Sequence, residues 1–264
     1  MKRFYKFRKG IIINNSTSII FQIAPAVTFA SIFFAGLLVP IINFQSIISF
    51  EGNFVLFAYI LGLGKFFSLI GAMDTGSSFE GMGASREASF STIVEPAFFI
   101  LLASVVALTG NYTFESLSMI LQRAGVYGLL IVILAVIALF IMLLVEGCRV
   151  PIDDPNTHLE LTMIHEVMIL DNSGIDLGLI LYGSAMKMLI FASLIANILI
   201  PANSGILTSL LLYAGIVLLI AVIIGTIESS VARLRMSHVF EFIFVMSSLS
   251  LVVLALVATK LYGN

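Results

Sequence analysis

Seven stretches of the chain are apolar almost without interruption, at residues 17–42, 53–72, 90–110, 126–145, 178–200, 204–227 and 239–259. An α-helix needs about 20 such residues to cross the roughly 30 Å hydrocarbon core of a bilayer. A membrane barrel would instead show segments of about 10 residues with alternating polarity. Lipid offers no hydrogen bonds to a bare backbone, so runs of this length must be helices. The pattern predicts an all-α fold, a polytopic transmembrane bundle of about seven spans. Residues 1–264 read as a single transmembrane domain without repeats or low-complexity segments. Within it, residues 146–176 form a charged loop and helix, and Tyr112 to Gln122 reads as a short interfacial helix between the third and fourth spans.

Composition agrees. Sixty per cent of the residues are hydrophobic, 11% are charged, and the mean hydropathy is +1.14. Soluble domains carry about 25% charged residues, so the bilayer must solvate most of this surface. The basic residues set the orientation, because Lys and Arg accumulate on the cytoplasmic side. An N-terminus inside puts Lys2, Arg3, Lys6, Arg8, Lys9, Arg86, Arg149, Arg233 and Arg235 there, leaving Arg123 and Lys260 outside and Lys65 and Lys187 within spans. The acids fall on the same side: Asp74, Glu80, Glu87, Glu146, Asp153, Asp154, Glu160, Glu166, Asp171, Asp176 and Glu228, against Glu51 and Glu115 outside. Loops on both faces are wet, yet one face holds nearly all the charge, as a docking platform would. Nothing in this pattern calls for a nucleic-acid partner.

The segment from Glu146 to Asp176 concentrates the chemistry. Pro151 and Pro155 forbid a continuous helix from Glu146 to Asp154, so that stretch must be irregular and hold Glu146, Arg149, Asp153 and Asp154 close together. Asp154 followed by Pro155 reads as an N-cap and first helical position. A helix from Pro155 to Leu170 would align His158, Thr162 and His165 on one face, turn Glu160 and Glu166 away, and pack Leu159, Met163 and Val167 inward. Clustered carboxylates at the edge of a low-dielectric region repel one another and resist ionisation, which tunes them for proton transfer. The alternative is a solvated loop with ordinary ion pairs, and the spacing does not choose between them. Within the bilayer, Glu95 precedes Pro96 in the third span, and a charge at that depth costs about 2.5–3.5 kcal/mol. It either forms a structural ion pair with Lys65 or Lys187, or lines a proton or ion path that Glu228 could join from the inside.

Other chemistries are excluded or weak. Cys148 is the only cysteine, so the chain alone cannot ligate an iron–sulfur cluster, which takes four ligands. There is no phosphate-binding G-x-x-x-x-G-K-[ST] loop and no dinucleotide fingerprint. The Glu-x-x-His pairs of a di-iron bundle are missing. His158, His165 and His238 lie in or beside loops, where they cannot hold a haem across two spans, and a metal at His158 and His165 is a weak alternative. No metal and no catalytic residue is expected in this chain.

GMGASREASFSTIVEPAFFILLA (81–103), VEGCRVPIDDPNTHLELTMIHEVMILDNSGIDL (145–177), ESSVARLR (228–235) and SIIFQIAP (18–25) carry a resemblance over nearly the whole chain. They resemble the membrane-anchor subunit of group 4 energy-converting [NiFe] hydrogenases. That is the formate hydrogenlyase subunit 4 type, homologous to subunit 1 of respiratory complex I. The resemblance implies a multi-pass, non-catalytic subunit of an oxidoreductase complex in the prokaryotic plasma (inner) membrane. Hydrogenase small (iron–sulfur) and large subunits would carry the [4Fe–4S] and [NiFe] centres, and antiporter-like membrane subunits would lie alongside. It further implies docking through Arg149, Pro151, Asp153, Asp154, His158 and His165, and a proton path at Glu95, Glu146, Asp153, Asp154, Glu160, Glu166 and Glu228. Arg86, Glu87, Arg149 and Lys187 would be charge partners. The DDPNTHLE form favours the hydrogenase branch over the quinone-reducing one. Family members have eight spans, and here KFRKG resembles the end of the basic segment after the first, so one span is expected to be missing.

Two other functions compete. A complex I-like dehydrogenase subunit would bind a quinone, and a stand-alone secondary transporter would also place Glu and Lys in its spans. The second would show inverted repeats with broken helix pairs, which the sequence lacks. The orientation is testable now: alkaline phosphatase fused after Asn264 should be active, whereas a fusion after Arg149 should be inactive. The reverse activities would overturn the assigned topology.

Overall fold

The computed structural model describes residues 18–42, 46–119, 128–153, 163–201, 205–231, 234 and 236–262. Its elements in chain order are α1 (Ile19–Leu38), α2 (Asn53–Asp74), α3 (Ser78–Thr109), a 3-10 helix (Phe114–Met119), α4 (Gly128–Glu146), α5 (His165–Met168), α6 (Gly174–Leu199), α7 (Ile206–Ser230) and α8 (Met236–Tyr262). Among the described residues all regular structure is helical, and seven helices are long and apolar enough to span a membrane: α1 to α4 and α6 to α8. The chain is a multi-pass helical membrane protein.

The span boundaries follow the apolar runs closely except in α3. That helix begins twelve residues before the predicted start, because SFEGMGASREAS is too polar to register as a span yet made mostly of residues that tolerate helix. At about 1.5 Å per residue, 32 residues reach about 48 Å, well beyond the hydrocarbon core. The N-terminal third of α3 therefore continues past the bilayer on the inner side, carrying Glu80, Arg86 and Glu87. On the outer side, the expected interfacial helix is a short 3-10 turn. Phe114 is buried, and its N–H donates to Asn53 Oδ1 at 3.2 Å. Residues 120–122 of that expectation lie outside the described residues.

α4 sits at the centre. Some 61% of its most apolar window is buried inside the protein, against 11% for α7, which faces lipid at the edge. α6 and α8 pack on α4, α8 also packs on α3, and α1 lies between α2 and α6. Because lipid is as apolar as leucine, close backbone approach drives this packing rather than hydrophobic exclusion. The α1–α2 contact shows it: a Cβ added at Gly64 would collide with Ser31 Oγ, and one at Gly71 would fall 2.8 Å from Ala24 Cβ. Thr28 Oγ1 donates to the Gly64 carbonyl at 3.1 Å across the same seam. At the inner end, Asp74 accepts from the backbone N–H and the hydroxyl of Ser18, at 2.8 and 2.7 Å, fastening the start of α1 to the end of α2.

Gly64→Leu should therefore spread the seam and cost about 1–3 kcal/mol or more. Gly62→Ala, with open space at its Cβ, should cost little. Thermal unfolding in mild detergent measures both, and equal melting temperatures would refute the close-packed seam.

Candidate functional site

α4 ends through its own backbone. The Arg149 N–H donates to the Leu144 carbonyl at 3.0 Å and the Cys148 N–H to that of Val145 at 3.1 Å. This is a Schellman arrangement with Cys148 in the left-handed position (φ 49°) usually given to glycine. The turn leaves Glu146 as the last helical residue of the central helix, facing inward at the inner end of the bundle.

Both Glu146 oxygens are taken by lysines from flanking spans. Lys65 on α2 donates to Oε1 at 2.5 Å, and Lys187 on α6 donates to Oε2 at 2.8 Å and reaches the Glu146 carbonyl at 3.4 Å. Lys65 also lies 3.6 Å from Glu87 Oε1. Two cations thus meet two carboxylates, and the cluster is formally neutral. That matters because the Glu146 side chain is only 5% exposed, and a lone ion so placed costs several kcal/mol to desolvate.

Two cavities meet at this cluster. The inner one lies between α1, α2, α6 and residues 165–172, and its walls include Lys65, Glu87, Glu146, Cys148, His165 and Lys187. The second lies between α2, α3, α4 and α6, and its walls include Glu95, Phe98, Phe99 and Phe191. Lys65 and Glu146 belong to both walls. Glu95 stands at the exposed side of the second cavity, near enough for its charge to act on Lys65.

The expected charge cluster of residues 146–154 is in fact divided among three sets of partners. Glu146 faces the lysines. Arg149, half-buried, donates to Glu228 Oε1 at 3.1 Å and to Met188 Sδ at 3.2 Å, tying the end of α4 to α6 and α7. Asp153, 1% exposed, accepts the N–H groups of Ile164 and His165 on Oδ2 at 3.1 and 2.9 Å. That carboxylate starts α5 from outside, so the predicted helix from Pro155 to Leu170 is corrected over its described part. Residues 163 and 164 are not helical, and the helix is the single turn His165–Met168. Met163 and Val167 are buried as expected, Glu166 is half-buried, and Pro151 is buried with its carbonyl accepting the Leu234 N–H. Asp154, His158 and Glu160 lie outside the described residues.

Two further carboxylate and guanidinium contacts fasten residues 163–171 to α3. Arg86 Nη1 donates to the Met163 carbonyl at 3.0 Å, and Glu80 Oε1 accepts from the Asp171 N–H at 3.0 Å. Gly83 lets them approach, since a Cβ there would meet the Ile164 carbonyl at 2.8 Å. Glu80, fully buried, was not singled out from sequence; its signal was an acid in the first turn of a helix whose start the hydropathy pattern hid. Lys65 was legible as an intramembrane cation, but its partner was not. Cys148 lines the inner cavity, and burial, then the charges of Glu87 and Asp153, push its thiol well above the ordinary value. Among the described residues no three His, Cys, Asp or Glu side chains are grouped to hold a metal ion.

A bundle with a lysine-gripped carboxylate at the inner end of its central helix is a polytopic membrane protein built around a buried charge cluster. Residues 2–258 match the family model described as NADH dehydrogenase, and the chain belongs to that family. It is 28% identical over 236 residues to hydrogenase-4 component C of Escherichia coli K12, covering 87% of this chain and 74% of that protein. Formate hydrogenlyase subunit 4 of the same organism is 24% identical over 224 residues, covering 82% and 72%. The fold resembles that of a chain in the membrane-bound sulfane sulfur reductase, an archaeal respiratory membrane complex. The TM-score is 0.78 at 17% identity, over 97% of this chain and 85% of that one. With seven spans and these relatives, the protein is a multi-pass protein of the inner membrane.

Removing Glu146 as Ala strands two lysines in the cluster and should destabilise by about 3–5 kcal/mol. Glu95→Gln, at an exposed position, should change stability far less. Thermal melts of the purified variants decide it, and an unaffected Glu146→Ala would mean that water already solvates the lysines.

Proposed function

We propose that this chain is the membrane-anchoring, ion-coupling subunit of a membrane-bound [NiFe] hydrogenase or formate hydrogenlyase-like complex. The single observation that carries the reading is the sharing of Lys65 and Glu146 between two cavities. A charge arriving in the inner cavity acts on Lys187 and Glu87, and through them on the Glu146–Lys65 pair. Loosening that pair frees Lys65 to move toward Glu95, and a proton or sodium ion then shifts in the second cavity. At close range in a low dielectric such pairs interact by several kcal/mol, enough to link redox state to ion occupancy. Relatives named as a hydrogenase-4 component and a formate hydrogenlyase subunit support the assignment to that kind of complex.

In this reading the chain holds no redox centre. The [4Fe–4S] cluster of the small subunit and the [NiFe] centre of the large subunit sit on the inner face, docked over Arg149 and the segment that follows it, while Pro151 and Asp153, both buried, shape that segment from within. Antiporter-like subunits cover the side where Glu95 opens. A second reading, the quinone-site subunit of a complex I-like dehydrogenase, is favoured by the inner cavity itself. Phe21, Pro25, Ile169 and Ile180 give it apolar walls beside the charged groups, the mixed lining that small-molecule sites use.

Affinity purification of the tagged chain in mild detergent separates them. Copurifying [NiFe] large and small subunits with hydrogen-dependent dye reduction support the first reading; NADH-oxidising or quinone-reactive partners support the second. In the hydrogenase case Glu146→Gln and Glu95→Gln should retain the soluble subunits while cutting ion movement per turnover about tenfold or more. Asp153→Asn should do so as well. Variants that pump normally would remove these residues from the path, and variants that shed the soluble subunits would make them docking residues.

A further inference from the structure

The inner end of α3 carries apolar side chains where lipid does not reach. About 20 helical residues cross the roughly 30 Å core, so, counted from Thr109, the hydrocarbon ends near residue 90. Phe79 lies further in by about 16 Å along the axis, and an ordinary tilt of about 20° changes that little. Headgroups extend only about 5–8 Å beyond the core. Yet Phe79 is 52% exposed and Met82, one turn on, is 40% exposed. Leu170 is exposed as well, and the bond from the Asp171 N–H to Glu80 Oε1 holds it against the same turn of α3. Behind them Ala72, Ala84, Met168 and Ile169 form a small buried cluster with Leu177 packed against it. The end of α2 and the start of α6 therefore meet there too, and they add the exposed Met73 and Ile175. Met82 is held in place, because Arg86 donates to its Sδ at 2.9 Å and to the Met163 carbonyl at 3.0 Å. The patch is edged with acid: Asp74 follows Met73, Asp171 follows Leu170 and Asp176 follows Ile175, and none of the three is buried. Contiguous apolar surface left in water marks a protein interaction site. Aromatic residues and methionine are the types enriched in such interfaces.

We infer that Phe79, Met82 and Leu170 form the apolar anchor of the soluble arm, and that the subunit seated there presents an apolar pocket rimmed by Lys and Arg. The inference rests on the hydrogenase-like function proposed above and deepens it, naming a docking surface outside the segment after Arg149 and the chemistry of its partner. The pocket takes the Phe79 ring and the Met82 thioether, and the basic rim faces Asp74, Asp171 and Asp176. In interfaces of this build a few central anchors carry most of the affinity. The charged rim sets orientation and speeds encounter. The hold of Arg86 on Met82 lowers the cost of ordering that side chain when the partner arrives. A second copy of this chain fits the patch poorly, because it would set the same acids against one another.

The test uses the full chain in its native membranes, with p-benzoylphenylalanine replacing Phe79. Photolysis should join position 79 to a soluble subunit of the arm, and mass spectrometry of the linked peptide should find Lys or Arg close to the point of attachment. The same photoreactive residue replacing Leu218, exposed on α7, should give no such link. In the tagged complex purified in mild detergent, Phe79→Asp should lower the soluble subunits retained by about tenfold or more, the scale of a lost aromatic anchor. Phe79→Leu should keep them. Phe79→Asp alters an exposed position, so the melting temperature of this chain should not move; if it does, the crosslink alone decides. Links from position 79 only to lipid or to a second copy of this chain would overturn the anchor. So would full retention of the soluble subunits by a stably folded Phe79→Asp chain, and a linked peptide edged by Asp and Glu would overturn the basic rim. A wild-type chain that retains no soluble subunit would instead overturn the function proposed above, and the docking with it.

Discussion

The Glu146 carboxylate, shared between Lys65 and Lys187, is the contact on which the rest of this architecture depends. It is buried at the end of the most enclosed helix, where neither a lone carboxylate nor a lone ammonium is tolerated. The three side chains come from α2, α4 and α6, so satisfying the charges fixes the relative depth of three spans. Glu87 adds a fourth element, α3, and completes the charge balance. Hydrophobic burial alone would not set that register, because an apolar helix slides in lipid at little cost, whereas a mismatched charge pair does not form.

α3 connects this cluster to the inner surface. One continuous helix carries Glu80 and Arg86, which hold residues 163–171, then Glu87 against Lys65, and further along Glu95 at the second cavity. One helix thus touches the inner segment and both cavities. Asp153 plays the complementary part from the α4 side, since its carboxylate begins α5. The loop is short of regular structure but rich in charge-assisted bonds to backbone, which are about twice as strong as neutral ones.

Toward the outer face the character changes. Phe57 meets Phe114 edge-on at 5.1 Å between ring centres, Phe54 stacks near Tyr112 at 6.5 Å, and Phe98 and Phe191 continue the packing down to the second cavity. This aromatic column stands between the second cavity and the outer end of the bundle.

Much of this was written in the one-dimensional pattern. The apolar runs gave seven spans because a bilayer rewards length and hydropathy directly, and the Lys and Arg bias gave the inner face. Pro151 and Pro155 marked the break after α4, and Glu95, Lys65 and Lys187 stood out because charge within a span is costly. The start of α3 escaped because hydropathy sees solvent preference and not helicity. The partners escaped for a deeper reason. Spacing along the chain says nothing of which of two lysines, 122 residues apart, will share one carboxylate, nor that Asp153 caps a helix while its neighbour in charge, Glu146, faces a cavity. The sequence by itself determined what is buried in lipid and which face is charged, since those depend on each segment's own composition. Only the tertiary structure decided which charges pair, because pairing depends on how helices from distant parts of the chain align in depth and rotation.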